Sequence, residues 1–127
     1  MPFVRVELVA GKPAAYGRAI GDVVYQALVD ACKAPKDDRF QVFHELSPEC
    51  HHADAGYLGI ERTKDCVFIQ VFFLPGRTVE QKKGFYKAVA DGLHRRLGLR
   101  REDVFIGLVE APRENWSFGN GEAQYAT

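Results

Sequence analysis

Val67-Phe68-Ile69-Gln70-Val71-Phe72-Phe73, followed at once by Gly76 and by Thr78-Val79-Glu80-Gln81, is the stretch that decides the fold. Seven residues with a single polar member read as a buried strand. Thr78 and Gln81 have capping-box spacing, the hydroxyl serving the Gln81 N–H and the Gln81 side chain reaching back, so a helix starts here. Phe85, Val89, Leu93 and Leu97 recur every fourth residue and give that helix one apolar face. Gly98 supplies a left-handed stop, and Val104-Phe105-Ile106-Gly107-Leu108-Val109 is the next strand. Strand, helix and strand in this order predict a βαβ unit with a parallel pair and a right-handed crossover.

The same order lies upstream. Val4, Val6 and Leu8 alternate with Phe3, Arg5 and Glu7, a strand with one buried face. Gly11 ends it, and Pro13 suits the first turn of a helix. Tyr16, Ile20, Val23, Val24, Ala27, Leu28 and Ala31 share one helical face, and Pro35 stops the helix. Phe40-Gln41-Val42-Phe43 reads as a strand, and residues 46–65 as a polar loop broken by Pro48, Gly56 and Gly59. The halves superpose without a gap at an offset of 65 residues: Val6 on Val71, Gly11 on Gly76, Val24 on Val89, Leu28 on Leu93, Asp38 on Asp103 and Phe40 on Phe105. Strand periodicity alone does not produce a gapless match of glycine, helix face and turn aspartate. The chain therefore reads as one α/β domain (α+β in its segregation) with repeats at 2–45 and 67–110 and a C-terminal ribbon over 111–127, its turn at Asn120-Gly121. The two units share one four-stranded mixed sheet with both helices on one face. The other face is left open, and oligomerisation is its simplest cover.

Composition narrows the function. A chain of 127 residues with 46% hydrophobic content supports one real core. Lys plus Arg and Asp plus Glu both total 17, so there is no basic stripe for nucleic acid. Cys32, Cys50 and Cys66 lack CxxC spacing and read as reduced, cytoplasmic thiols. Arg5, Glu7 and Lys12 interrupt any signal-peptide run, and no apolar stretch has membrane-spanning length. Cys50-His51-His52 with Asp54 fits no closed zinc site and reads as a solvated loop, so no metal is expected.

The duplication brings chemistry to one sheet edge. Pro2 begins the first strand, and Asp38 precedes the strand parallel to it. With the second unit antiparallel to the first, Leu74-Pro75-Gly76-Arg77 and Asn115-Trp116-Ser117-Phe118 arrive at the same edge. A proline in second place becomes an amino terminus if Met1 is removed, and its secondary amine can act as base, acid or nucleophile. If Met1 stays, that nitrogen is an amide and the chemistry is blocked. At the opposite edge Val67 stands where Pro2 would be.

Taken together, Pro2, Asp38-Arg39-Phe40-Gln41, Glu80-Gln81-Lys82 with Phe85-Tyr86-Lys87, and Leu108-Val109-Glu110 followed by Trp116-Ser117-Phe118-Gly119 resemble the tautomerase superfamily, in its malonate semialdehyde decarboxylase-like branch. The resemblance implies a homotrimeric enzyme without a cofactor, acting on a small oxo- or unsaturated carboxylate. It implies that Pro2 is the catalytic proline, that Asp38 works with it, that Arg77 grips the substrate carboxylate, and that Trp116 and Phe118 wall the pocket. The branch has a second arginine where this chain has Pro75, and Arg39 is the candidate to compensate. Two alternatives stand beside decarboxylation with tautomerase or hydratase side activity: a base-type keto-enol tautomerase, and a non-catalytic binding protein of the same fold. Each residue also has a bland reading. Asp38 suits a helix-to-strand turn, since Asp103 occupies the equivalent turn. Arg77 matches Lys12 and so also reads as a solvated loop cation, and Trp116 and Phe118 as core or interface aromatics.

Overall fold

The computed structural model describes residues 2–126. Six principal elements follow the expected order: β1 (Phe3–Val9), α1 (Ala14–Cys32), β2 (Phe40–Leu46), β3 (Val67–Phe73), α2 (Val79–Leu97) and β4 (Val104–Glu110). Pro13 stands at the N-cap of α1, one step outside the helix, and left-handed Lys33 closes the other end by donating its N–H to the Leu28 carbonyl. At α2 the capping box forms, with the Thr78 side chain accepting from the Gln81 N–H and the Gln81 side chain accepting from the Thr78 N–H. Gly98 (φ 69°) ends α2. No helix among the described residues is long and apolar enough to cross a membrane.

The sheet runs β2-β1-β3-β4. Its outer pairs are parallel and its central pair is antiparallel. The repeat survives in the register: Phe3 faces Phe40 as Phe68 faces Phe105. Across the central pair Arg5 faces Gln70, its own counterpart at the offset of 65, so a local dyad passes between them. Val4, Val6, Val67, Ile69, Val71 and Phe73 point to one face and are buried by Ile20, Val24, Leu28, Phe85, Val89 and Leu93 of the two helices. The helices cross tightly, since a Cβ on Gly92 would sit 2.8 Å from Val23 Cγ1. Emptying this core is expensive; truncating Phe85, fully buried, to alanine costs ~3–5 kcal/mol.

The other face carries Phe40, Phe105 and Val109 at 53%, 52% and 43% exposure. Loop 47–66 crosses part of this face. Its His51 departs from the solvated reading: the ring packs 4.5 Å from Phe68, and Nε2 donates to the Cys66 carbonyl at 2.6 Å. No group of residues suited to a metal ion is found among the described residues. The tail does turn back at Asn120 and Gly121, both left-handed (φ 60° and 69°). Its arms are tied by Gln124, which accepts from the Phe118 N–H and donates to the Gly119 carbonyl; no strand forms there among the described residues.

Candidate active site

Pro2 is buried at the start of β1 and lines a cavity of about 290 Å³ with Phe3, Phe40, Trp116, Ser117 and Phe118. Strand alternation explains the floor. Phe3 and Phe40 are register partners on the face away from the helices. The roof comes from the tail and is fixed to the end of β3 by a chain of hydrogen bonds. Ala111 N–H donates to the Phe73 carbonyl at 2.8 Å, and Trp116 Nε1 donates to the Ala111 carbonyl at 3.2 Å. Trp116 stacks on Phe118 (5.8 Å, 8°), and Phe118 packs on Tyr125 at 4.9 Å.

Pro2 lies beside Phe73, one step past the Phe3–Phe72 pair. The Arg77 guanidinium sits 4.7 Å above the Phe73 ring, a cation–π contact. Its Nε donates to the Cys32 carbonyl at 3.2 Å and its Nη1 to the Leu74 carbonyl at 3.0 Å. Arg77 is thus a half-buried, aimed cation rather than a solvated one. It stands on the helix side of Pro2, with the aromatic cavity on the other side. Asp38 is half-buried in the turn before β2, at the same sheet edge. The turn is shaped by left-handed Asp37 (φ 63°), whose N–H donates to the Tyr25 hydroxyl.

Arg39 is not brought to the cavity. β-alternation puts it on the helix face with Gln41, where it donates to Gln41 Oε1 (3.1 Å), pairs with Asp22 (2.7 Å) and lies 5.1 Å over Tyr25. The Arg39 hydrogen bond is the main reason the Asp22 carboxyl titrates below its usual range, with Arg96 adding to it. Beyond the expected residues, Phe3, Phe40 and Ser117 line the cavity. The signal for Phe3 was present, because it shares its strand phase with Arg5 and Glu7 and is not needed by the core; Phe40 faces the same side as its register partner Phe3. A neighbouring space of about 650 Å³ is lined by Pro75, Pro112, Arg113, Glu114 and Tyr125, with the Arg113 guanidinium 5.6 Å over the Tyr125 ring. A cation therefore stands across from Pro75.

The repeat partner of Asp38 behaves differently. Asp103 is 1% exposed, accepts from the Thr63 N–H (2.7 Å) and hydroxyl (2.6 Å), and lies 3.7 Å from Arg100. It pins the chain that leads into β3.

Fold and edge cluster together define a small α/β enzyme. The chain belongs to the tautomerase superfamily: two family profiles, each described as tautomerase enzyme, match residues 38–119 and 2–51. It is 38% identical over 124 residues, 98% of both chains, to the probable tautomerase YusQ of Bacillus subtilis. The 2-hydroxymuconate tautomerase of Pseudomonas putida matches over 57 residues at 32% identity, 45% of this chain but 90% of that one. Among solved structures, malonate semialdehyde decarboxylase superposes with a TM-score of 0.90 at 32% identity, covering 97% of this chain and 95% of that one. A fused 4-OT solved as a symmetric trimer shares the fold (TM-score 0.79, 22% identity, 98% of each chain).

Proposed function

We propose that the chain, once Pro2 is its amino terminus, decarboxylates a small 3-oxo carboxylate, with weaker hydratase and tautomerase activity. The observation that carries this reading is the meeting of buried Pro2 with half-buried Asp38 and the Arg77–Phe73 pair at one edge. Arg77 holds the substrate carboxylate, for which a guanidinium fork is well suited. Asp38 keeps the Pro2 amine cationic, because a nearby carboxylate favours the charged form. The ammonium hydrogen-bonds the 3-oxo group. As the C–C bond to the carboxylate breaks and CO₂ leaves, its electron pair moves onto that oxygen, where the cation stabilises it. The enolate then takes a proton at carbon, in the place of the carboxylate that left as CO₂, and becomes the aldehyde. Trp116, Phe118, Phe3 and Phe40 exclude water. Arg113 supplies a second cation where the branch has the arginine replaced by Pro75.

One observation favours base-type tautomerisation as a second reading. Four of the six residues that line the cavity are aromatic, and desolvation there would leave the amine neutral and able to abstract a proton. Titration of ¹⁵N-labelled Pro2 separates the two. The first reading expects a midpoint above the ~8 of a free terminus that falls in Asp38→Asn; a midpoint below it establishes the second. Both require the free amine. An extension by Gly-Ser before Pro2 is expected to cost about 10²–10⁴ in kcat/KM, the usual worth of a positioned acid or base. Full activity in the extended chain would end the proline mechanism. The uncovered Phe40, Phe105 and Val109 support a homotrimer, as does the trimeric fused 4-OT; light scattering that gives one chain's mass, 14.2 kDa, would oppose it.

A further inference from the structure

The two halves hold their helix-to-strand turns by different means. In the second half the turn aspartate does it, since Asp103 accepts from the Thr63 N–H and hydroxyl. In the first half the hold comes from the helix. The Tyr25 hydroxyl accepts from the Asp37 N–H at 3.1 Å, one residue before Asp38. Asp37 is left-handed (φ 63°), a backbone state that is costly for an L side chain unless its surroundings secure it.

Tyr25 is itself braced. The Arg39 guanidinium lies 5.1 Å over its ring. Arg39 is fixed in turn by Asp22 Oδ1 at 2.7 Å and Gln41 Oε1 at 3.1 Å. Arg96 reaches the other Asp22 oxygen at 3.2 Å, and Gln41 Nε2 donates to the Gly21 carbonyl at 2.9 Å. The absence of a side chain at Gly21 makes room for this network, because a Cβ there would sit 2.6 Å from Gln41 Oε1 and 2.7 Å from the Phe43 ring. None of it recurs at the offset of 65. Tyr86, Lys87, Ala90, Val104 and Ile106 stand where Gly21, Asp22, Tyr25, Arg39 and Gln41 would be. The brace is confined to the half that carries Pro2, and it grips both chain neighbours of Asp38: Asp37 through its N–H and Arg39 through its side chain.

We infer that Tyr25, braced by Arg39, is a positioning residue for the reaction at Pro2, fixing the turn that sets the direction of the Asp38 carboxylate. The inference rests on the role proposed above for Asp38. Tyr25→Phe tests it, because the change removes one hydroxyl, keeps the ring under Arg39 and alters no charge at the sheet edge. What it does at Pro2 therefore reports geometry. ¹⁵N-labelled Pro2 is titrated in the full-length wild type, Tyr25→Phe, Asp38→Asn and the double variant. The Tyr25→Phe midpoint is expected to fall part of the way to that of Asp38→Asn, and the double variant to match Asp38→Asn alone. The basic limb of the pH–rate profile should move down with the midpoint. kcat/KM should fall about two- to tenfold, the span of one hydrogen bond, through kcat with KM held. A Tyr25→Phe protein that melts earlier but keeps the wild-type midpoint and profile, while Asp38→Asn moves both, would make Tyr25 structural only and overturn the inference. If Asp38→Asn itself left the midpoint unmoved, the role of Asp38 would fail and the inference with it.

Discussion

Asp38 and Asp103 occupy equivalent turns, yet they are expected to divide catalysis from stability between them. Asp103→Ala removes a buried carboxylate that accepts two short hydrogen bonds, from the Thr63 N–H at 2.7 Å and the Thr63 hydroxyl at 2.6 Å. Hydrogen bonds to a charged group are worth ~1.5–3 kcal/mol each, and the Thr63 N–H is left without its acceptor. The Arg100 contact adds little, because it is long (3.7 Å) and Arg100 is 40% exposed. A loss of about 3–5 kcal/mol follows, a large share of the ~5–15 kcal/mol of a typical domain. Asp103→Asn keeps one acceptor and should lose about half as much. Asp38→Ala, half-buried, should lose under ~1 kcal/mol but lower kcat/KM by at least ~10². Urea unfolding at one fixed protomer concentration reads the first quantity, and turnover per folded chain reads the second. An Asp103→Ala midpoint equal to wild type would refute the reasoning from the hydrogen bonds. An Asp38→Ala protein that is unstable but fully active would make Asp38 a turn residue only.

Arg77→Ala is expected to raise KM for carboxylate substrates by the ~1.5–3 kcal/mol of a charge-assisted bond; because Arg77 also ties the Cys32 and Leu74 carbonyls, its melting temperature should fall as well, and unchanged kinetics would place the carboxylate grip elsewhere. With a thiol-specific reagent at pH 8, exposed Cys50 should react first, while buried Cys32 and Cys66 wait for unfolding; burial pushes the Cys66 thiol up to about 11, so little thiolate exists there, and three equal rates would contradict this. Hydrogen bonds from Lys87 and Arg101 hold the Asp91 carboxyl at about 2. Its folded value is depressed, so its stabilisation is full above the unfolded value near ~4 and is lost as pH falls toward 2. The melting gap between wild type and Asp91→Asn should therefore be constant above pH 5 and close on acidification; a gap that widens in acid would reverse the sign.

The fold was legible because both signals recur. Apolar alternation marks the strands and apolar faces the helices, a capping box and Gly98 bound α2, and the offset of 65 repeats the apolar pattern, so the pairing of Phe3 with Phe40 follows from that of Phe68 with Phe105. Pro2, Asp38, Arg77, Trp116 and Phe118 were legible as members of one edge, since topology alone sends strand ends there. What the pattern could not carry was direction. Arg39 is adjacent to Asp38, but its side chain follows the helix-face phase of β2 onto Asp22. Long cations are placed by such partners, and Asp22 lies 17 residues away. The same limit hid His51, whose seat on Phe68 depends on how loop 47–66 crosses the sheet.

The local dyad between Arg5 and Gln70 carries a consequence for heredity. A chain of half this length could build the same sheet by pairing with an identical copy, and the Pseudomonas putida relative spans only 57 matched residues. In such a pair every substitution is made twice, and both edges must keep any residue that either one needs. Joining the halves through residues 47–66 ends that obligation. Val67 and Asp103 can then serve stability, and His52 and Ala53 can differ from Ser117 and Phe118, without any change at Pro2 and Asp38. One copy of a site can drift only after the gene ceases to write both copies in the same letters.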